Sequence, residues 1–334
     1  MPSLAVKYRP NDFNDVCSQK SIVKILKRQI ETGQFVNCLL FSGPSGVGKT
    51  TIARILANKI NKGLGTPIEI DARSNNGVDN VRLIIEDADK RALDAEYKVY
   101  IIDECHMLTN QAWNRLLKLI EEPPKYTIFM FCTTELQKVP ETIQNRCQQY
   151  RLTRVDNKLI EDRLEFICES ENYKYTKESL DQITKMSLGS VRQAIAYLDK
   201  CKDYGDLTLQ NVLIVLGSFS YDTYFDLINA VIDKNEQRII KIVEQLYSDG
   251  CDLRLFVELF LEFVLDLTKY LIFKSFEIIK IPASYKSQLD YTINVEEPGK
   301  YFNHLIDKLL ELKVLIKGDS NVKTTLEVYL LSRI

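Results

Sequence analysis

The sequence predicts an α/β fold built on a parallel β-sheet, followed by segments that are helical only. Two observations support this prediction. Over the first 150 residues, short apolar runs alternate with amphipathic segments of helix length, which is typical of a parallel sheet covered on both faces. Beyond that point the strand signals fade, and stripes rich in Leu and Ile continue through the rest of the chain.

Five strands are predicted in the α/β part, at residues 38–42, 67–71, 99–103, 127–132 and 148–152. Four apolar stripes predict the helices around them: Ile22, Ile25, Leu26 and Ile30; Ile52, Ile55 and Leu56; Val78, Val81, Ile85 and Ala88; and Trp113, Leu116, Leu117 and Ile120. The first helix should end at Gly33, and the last should stop at Pro123 and Pro124. Residues 157–202 predict three short helices and residues 208–334 about five more, with boundaries near 152 and 206.

The composition argues against several classes of function. Forty-four basic and 46 acidic residues give a net charge of −2, so binding of nucleic acid through bulk charge is not expected. The eight cysteines include no C-x-x-C pair, which argues against structural zinc and against a disulfide framework. No signal peptide is evident and no apolar stretch reaches the length of a membrane span, so we expect a cytoplasmic protein without membrane contact.

A phosphate-binding loop is predicted at residues 43–50, which read GPSGVGKT. The glycines of such a loop let backbone N–H groups turn toward phosphates. Lys49 would reach the β- and γ-phosphates, and the Thr50 hydroxyl would ligate Mg²⁺.

The run VYIIDE at 99–104 predicts a buried strand that brings two carboxylates to the same site. Asp103 would help to hold the metal ion, and Glu104 would orient or deprotonate the attacking water. Thr134 follows the next strand along the chain, and its hydroxyl would hold the water from the opposite side if that strand lies between the other two. Together the loop and this strand predict nucleotide hydrolysis.

Arg192 lies in an unusual place for a cation. Ser190 and Gln193 form a predicted capping box, which places Arg192 in the first turn of a helix, where the helix dipole disfavours positive charge. A bound phosphate would explain this position, and a solvated arginine is the alternative. Arg146, at the end of PETIQNRC, has an ordinary position for a basic residue at a helix C-terminus.

His106 completes the sequence DECH, which matches the box of the DExH helicases. Those enzymes carry a second motor domain rich in strands, and the helical residues 153–334 cannot supply one. A zinc role for His106 fails because no other ligands lie near it in the sequence.

Seven segments of the chain together carry a resemblance to a known family. They are LAVKYRPNDFNDV (4–16), FSGPSGVGKTTIARILA (41–57), EID (69–71), DNVR (79–82), KVYIIDECHMLTNQAWNRLLKLIEEPP (98–124), TTELQKVPETIQNRC (133–147) and LGSVRQAIAYLD (188–199). In this order they resemble the bacterial DNA polymerase III clamp-loader ATPase, the gamma/tau subunit family, over the first 200 residues. The remaining residues resemble the family's collar only in their helical character.

The resemblance implies an AAA+ P-loop fold with sheet order 5-1-4-3-2. It divides the chain into a nucleotide-binding domain over 1–152, a three-helix lid over 153–205 and an oligomerising collar over 206–334. It also implies an ATPase motor subunit that works with other clamp-loader subunits in a pentamer. With ATP and Mg²⁺ as cofactors, such a loader opens a ring-shaped sliding clamp and places it on primer–template DNA during replication.

Several residue roles follow from the resemblance alone. It makes Thr134 the first sensor, Arg192 the second sensor, and Arg146 an arginine finger that reaches the γ-phosphate of a neighbouring subunit. A finger supplied in trans is typically worth about 10³–10⁵ in rate. The resemblance also implies a set of nucleotide contacts: Arg9, Pro44, Ser45, Gly46, Val47, Gly48, Lys49, Thr50, Thr51 and Arg192.

The resemblance further implies contacts with macromolecules. Arg82 and Lys118 would meet DNA phosphates, which positions the duplex without reading its sequence. Helix 111–121, with Trp113 and Leu117, would either face the clamp or belong to the core.

Three departures from the family pattern modify these expectations. Only NKGLGT, at 61–66, stands where family members usually carry a four-cysteine zinc module, so no zinc is expected. The finger segment is Asn145-Arg146-Cys147, where the family has Ser-Arg-Cys. Because the sequence ends at Ile334, we expect a short form without the extension that binds helicase and polymerase in the longer form.

Two alternatives stay open. One is a nucleotide-binding structural subunit of the same assembly, although such subunits typically lose the lysine or the acidic pair that this chain keeps as Lys49, Asp103 and Glu104. The other is a different AAA+ DNA remodeller, such as a branch-migration or origin-melting motor. Those proteins lack the KYRP start and the Asn-Arg-Cys segment, and they usually append a DNA-binding domain.

Overall fold

The structure, a computed structural model, describes residues 3–216 and 219–332. The chain forms two compact units. The first runs to Asn172 and includes Ile183–Asp199, whereas the second contains Tyr173–Gln182 and continues from Lys200. The division into three domains with boundaries at 152 and 205 stays a prediction.

A five-stranded parallel sheet forms the centre of the first unit. Its strands are β1 Cys38–Ser42, β2 Ile68–Asp71, β3 Lys98–Asp103, β4 Thr127–Thr133 and β5 Gln148–Arg151. Their order in space is β2-β3-β4-β1-β5 and every neighbouring pair is parallel, which confirms the predicted order. The inner strands β1 and β4 are buried throughout, while the edge strand β2 is partly exposed.

Helices cover both faces of this sheet. The helices of the chain up to residue 202 are α1 Leu4–Lys7, α2 Lys20–Thr32, α3 Lys49–Ile60, α4 Val78–Ala88, α5 Asn110–Glu121, α6 Glu141–Gln144, α7 Asn157–Glu171, α8 Lys177–Met186 and α9 Val191–Lys202. Of these, α2 and α3 pack on one face of the sheet, and α4 and α5 on the other. Successive side chains of a strand point to opposite faces. Leu39 and Phe41 therefore pack with α2 and α3, whereas Leu40 packs with α4 and α5. The three short helices predicted between 157 and 202 are confirmed as α7, α8 and α9.

Burial in α2 and α5 shows which residues of two predicted apolar stripes belong to the core. Ile25 was expected in the buried stripe of α2 but is 47% exposed, and Val23 is buried instead. At about 100° per residue, Val23 shares an arc with Leu26 and Ile30, whereas Ile25 lies at the margin of that arc. Trp113 of α5 is only 2% exposed and packs against Phe131, so this side chain belongs to the core.

The second unit is helical from residue 209 onward. Its helices there are α10 Leu209–Val215, α11 Tyr221–Ile232, α12 Glu236–Ser248, α13 Leu253–Phe273, α14 Lys286–Thr292, α15 Pro298–Leu315 and α16 Val322–Ser332. The prediction of about five helices was too low, because α10 and α14 have only seven residues each and are too short for a clear helical period. Aromatic rings of α11 and α13 stack at the centre of this unit, among them Tyr224, Phe260 and Phe263. Within the described ranges, no helix combines the length and apolar character that crossing a membrane requires.

Candidate active site

A cavity of about 310 Å³ lies in the first unit, where β1 and β3 end. Parallel strands bring the segments that follow them to one edge of the sheet. Most of the predicted site residues line this cavity: Arg9, Ser45, Gly46, Val47, Gly48, Lys49, Thr50, Thr51, Asp103, Glu104 and Arg192. Five others do not line it, namely Pro44, Arg82, Lys118, Thr134 and Arg146. The residues predicted from the loop and from the acidic strand therefore meet at one cavity.

The loop between β1 and α3 forms the floor of the cavity and closely approaches α9. Gly46 has a φ of +75°, and a Cβ atom at this position would lie 2.1 Å from Ser190 Oγ. A side chain is therefore excluded both by the backbone conformation and by the neighbouring helix. The loop ends at the N-terminus of α3, where backbone N–H groups and the helix dipole favour an anion.

Lys49 carries a buried positive charge at this helix terminus. Its side chain is buried, and Nζ donates hydrogen bonds to the carbonyl oxygens of Gly43 and Pro44, each at 2.8 Å. Burial lowers the pKa of the Lys49 ammonium, while the nearby carboxylates of Glu104 and Asp103 act in the opposite direction. Among the described residues, no carboxylate forms an ion pair with Lys49. The arrangement suits a ligand that brings its own negative charge, such as a polyphosphate.

Thr50 and Asp103 are in direct contact. Thr50 Oγ1 donates a hydrogen bond to Asp103 Oδ2 at 3.0 Å, and Asp103 Oδ1 accepts from the backbone N–H of Glu104 at 3.1 Å. A hydroxyl and a carboxylate are suitable oxygen ligands for Mg²⁺, which usually takes its other ligands from water and phosphate. In the part of the chain that the structure describes, no group of three or more His, Cys, Asp or Glu side chains could hold a metal by itself. Thr50 and Asp103 therefore supply two oxygen ligands of the kind that a magnesium ion takes.

Glu104 leaves the regular strand geometry, with a φ of +49°. Such a conformation is costly for a residue with a side chain and is often found at functional sites. Its Oε2 accepts a hydrogen bond from Thr134 Oγ1 at 3.0 Å. Glu104 and Thr134, which follow β3 and β4, are therefore in contact. These are the two side chains that the sequence analysis assigned to the attacking water.

Arg192 belongs to the first turn of α9, as predicted. Ser190 Oγ accepts the backbone N–H of Gln193 at 3.3 Å, which is one half of the predicted capping box. The reciprocal half does not form, because the Ser190 N–H donates to the carbonyl oxygen of Ser187. The backbone N–H of Arg192 donates to the carbonyl oxygen of Gly46 at 3.3 Å, so the loop and α9 are in contact.

The sequence prediction missed half of the residues that line the cavity, among them the polar side chains of Tyr8, Cys17 and Arg73. Arg73 comes two residues after the end of β2, and its Nη2 lies 2.7 Å from Asp71 Oδ2. This guanidinium lowers the pKa of the Asp71 carboxyl. A basic residue two positions after the end of a predicted strand was the signal that could have identified Arg73.

The remaining predicted residues lie outside the cavity. Arg146 pairs with Glu121 and donates from Nη1 to the carbonyl oxygen of Thr142 at 2.7 Å. Arg82 on α4 pairs with Glu86, with Nε and Oε1 2.8 Å apart. Arg82 and Lys118 of α5 are both exposed, on the two helices that cover the same face of the sheet.

Comparison with solved structures supports the fold. The chain is similar to the Holliday junction branch migration motor RuvB of Thermotoga maritima, with a TM-score of 0.53 and 19% sequence identity. The likeness covers 67% of this chain and 79% of RuvB. At this identity it shows the shared AAA+ fold alone.

Comparison with sequence families is more specific. A model described as DNA polymerase III, delta subunit, matches residues 66–156, and one for domain III of DNA polymerase III subunits gamma and tau matches residues 207–292. The DNA polymerase III subunit gamma/tau of Mycoplasma genitalium is 32% identical, over 87% of this chain and 52% of that protein. For subunit tau of Bacillus subtilis, the identity is 36% over 73% of this chain and 48% of the relative.

The chain thus spans about half the length of these two relatives. A shorter relative is covered more completely. The DNA polymerase III subunit gamma of Buchnera aphidicola subsp. Baizongia pistaciae is 31% identical, over 92% of this chain and 86% of that protein. With this identity and coverage, together with the domain III match, the chain belongs to the DNA polymerase III gamma/tau subunit family.

Proposed function

We propose that this chain is an ATPase subunit of a sliding-clamp loader, which uses ATP to open a ring clamp and load it onto primer–template DNA during replication. The observation that carries the proposal is the convergence of Lys49, the Thr50–Asp103 pair and Glu104 at one cavity. Family membership supports a role in replication.

The nucleotide would bind with its phosphates over the loop and the N-terminus of α3. Lys49 would replace its carbonyl contacts with contacts to the β- and γ-phosphates, and the loop residues other than Pro44 would donate backbone N–H groups. Arg9 and Arg192, which line the same cavity, would approach the nucleotide from the other side. Thr50 and Asp103 would hold Mg²⁺, which when bound neutralises charge on the phosphate oxygens.

Glu104 would orient the attacking water and accept its proton. The Thr134 hydroxyl donates a hydrogen bond to Glu104 Oε2. Thr134 would therefore sense the γ-phosphate through its contact with Glu104. We infer no zinc requirement, because residues 61–66 form a short connector without cysteine.

Arg146 would act in a neighbouring subunit. It lies outside the cavity of its own chain, which suits an arginine that completes another chain's site. A head-to-tail contact of this kind generates a ring or a spiral, and we propose a pentamer with other clamp-loader subunits. In this assembly residues 153–205 would form the lid and residues 206–334 the collar, while Arg82 and Lys118 would meet DNA phosphates.

The proposal is tested by measuring ATP turnover with and without the partners. The wild-type rate should be low for the chain alone and should rise strongly when cognate subunits, clamp and primed duplex are present together. Glu104→Gln should bind ATP and the clamp but turn over about 10²–10⁴-fold more slowly, since it loses the general base. A rate that clamp and primed duplex leave unchanged would count against clamp loading, and normal turnover by Glu104→Gln would remove Glu104 from its role.

The role of Arg146 needs mixed assemblies. Arg146→Ala in one subunit should slow hydrolysis at the neighbouring subunit's site, which can be isolated by placing Lys49→Ala in the other sites. A defect confined to the variant's own site would contradict a finger that acts in trans. ATP binding without turnover in every assembly would instead favour a structural subunit.

A further inference from the structure

His106 is a buried side chain that lies beside Glu104 and has no role in the function proposed above. Its side chain is 7% exposed. Nδ1 lies 3.1 Å from Thr133 Oγ1 and 3.5 Å from Glu104 Oε2, while Nε2 lies 3.4 Å from Glu135 Oε1. The two ring nitrogens therefore face different partners, and only Nδ1 faces Glu104.

The surroundings of the ring fix its position. Thr133 is the last residue of β4, and its Oγ1 also accepts the backbone N–H of Glu135 at 3.0 Å. Glu135 in turn pairs with Lys138, with Oε2 and Nζ 2.9 Å apart, which lowers the pKa of the Glu135 carboxyl. An anchored strand end lies on one side of His106 and an ionised carboxylate on the other, so the imidazole has little freedom to rotate.

Glu104 needs such support because its backbone has left the strand. With φ at +49°, its carboxylate is placed by side-chain contacts and not by the sheet. Two groups approach the same oxygen, Oε2: the Thr134 hydroxyl at 3.0 Å and His106 Nδ1 at 3.5 Å. Held in this way, Glu104 would keep its other oxygen, Oε1, for the water.

We propose that His106 is a positioning residue, which holds the Glu104 carboxylate at the distance and angle that the attacking water requires. This inference rests on the proposed ATPase function. A general base must lie within hydrogen-bond reach of the proton it accepts, and misplacement by about 1 Å can cost about 10²-fold in rate. Thr134 and His106 then restrain the same carboxylate from two strand ends.

If His106 had a purely structural role, its substitutions would have different effects. Two variants distinguish a structural role from a positioning role. In His106→Asn, the side-chain amide lies near the place of Nδ1 and keeps a polar contact with Thr133 and Glu104. In His106→Gln, the amide reaches the place of Nε2 and keeps the contact with Glu135. A positioning role requires the contacts of Nδ1 with Thr133 and Glu104, which only the Asn variant keeps. A role in packing or in the contact with Glu135 does not require them.

The experiment measures kcat and the dissociation constant of a fluorescent ATP analogue for the full chain, assembled with its partner subunits, clamp and primed duplex. His106→Ala and His106→Gln should lower kcat about tenfold without a comparable change in the dissociation constant. His106→Asn should recover most of the wild-type kcat. Glu135→Gln is the matched control, because it keeps a polar side chain beside Nε2, removes the charge that pairs with Lys138 and leaves the Nδ1 side unchanged. Its kcat should equal that of the wild type.

Several results would overturn the inference. They are a wild-type kcat for His106→Ala, equal rates for the Asn and Gln variants, or loss of ATP binding in all three variants, which would assign His106 to the fold. Failure of the underlying function looks different, because the wild-type assembly itself would then not hydrolyse ATP.

Discussion

Arg146 and Glu121 form an ion pair within one chain, with Nη2 and Oε1 2.5 Å apart. Glu121 is the last residue of α5, and Arg146 follows α6. Both side chains remain partly exposed. The arginine proposed to act on a neighbour is therefore held by a carboxylate of its own chain, and it must leave that carboxylate to reach a phosphate.

Removing this carboxylate should favour the proposed trans contact. An exposed ion pair is worth about 0–1 kcal/mol, so Glu121→Gln should raise the ATPase rate of the assembly by at most about fivefold. The free energy of unfolding should change by less than about 1 kcal/mol. Steady-state turnover of the assembled protein checks this, with Glu122→Gln as the neighbouring control. A lower rate in Glu121→Gln alone would show that the pair helps to place the arginine.

Gly46→Ala should weaken nucleotide binding and stability together. The new Cβ would lie 2.1 Å from Ser190 Oγ at a φ of +75°, so the loop must move away from α9. Gly33→Ala is the matched control, because Gly33 has a φ of +66° and, apart from its neighbours in the chain, no heavy atom of the described residues lies within 4 Å of the place that its new methyl group would take. Gly33→Ala should cost about 1–2 kcal/mol of stability and leave the dissociation constant for ATP unchanged. Equal ATP affinity in both variants would contradict the contact between loop and helix.

Bound ATP should protect Cys17 from alkylation. Cys17 lines the cavity and is partly buried, and burial raises the pKa of its thiol. Cys251 is a suitable internal control, since it is also partly buried with a raised thiol pKa but belongs to the second unit. With ATP at ten times its dissociation constant, the maleimide labelling rate of Cys17 should fall about tenfold, while that of Cys251 stays constant. Peptide mass spectrometry measures both rates, and parallel changes would argue against nucleotide binding in this cavity.

Asp87 should make the stability of the first unit depend on pH. Its Oδ2 accepts a hydrogen bond from the Tyr100 hydroxyl at 2.7 Å and lies 3.0 Å from Lys98 Nζ, and these contacts lower the pKa of the Asp87 carboxyl. Because the pKa is lower in the folded state, the ionised carboxylate stabilises the fold above its unfolded pKa of about 3.9. This contribution is lost as the pH falls through the folded pKa.

Asp87→Asn should therefore lower the free energy of unfolding by about 1 kcal/mol at neutral pH. The difference from the wild type should shrink below about pH 4. Denaturant titrations at several pH values, followed by circular dichroism, measure it. Asp89→Asn is the control, because this exposed residue lies at the C-terminal end of α4, where a negative charge is unfavourable. A difference that does not vary with pH would contradict the assignment to the carboxylate.

The position of each strand could be predicted from the sequence to within one residue, because each strand is a short apolar or alternating run between turn signals. The order of the strands could not. The order depends on how the connections between strands cross over the sheet, and local periodicity does not encode these crossovers. The predicted order therefore came from the family resemblance. The number of helices after residue 208 was too low for a related reason, since the two turns of a seven-residue helix such as α10 or α14 are too few to establish a period.

The site was predictable where a motif fixes a spacing and unpredictable where the contact is tertiary. Lys49, Thr50 and Asp103 lie in motifs, and the structure places all three at one cavity. Arg73 and the Arg146–Glu121 pair were not foreseen. Their segments have no recurrent pattern, and their positions depend on how distant parts of the chain meet at the sheet edge.

Trp113 is the single tryptophan of the chain, and it lies in the core of the first unit. Its indole Nε1 has no hydrogen-bond partner among the described residues, so its fluorescence should be blue-shifted in the native state and move to longer wavelength when water enters. The second unit has tyrosine and phenylalanine in its aromatic core instead. Tryptophan emission therefore reports melting of the sheet and its covering helices alone, and this natural probe distinguishes the unfolding of one unit from that of the other without any added label.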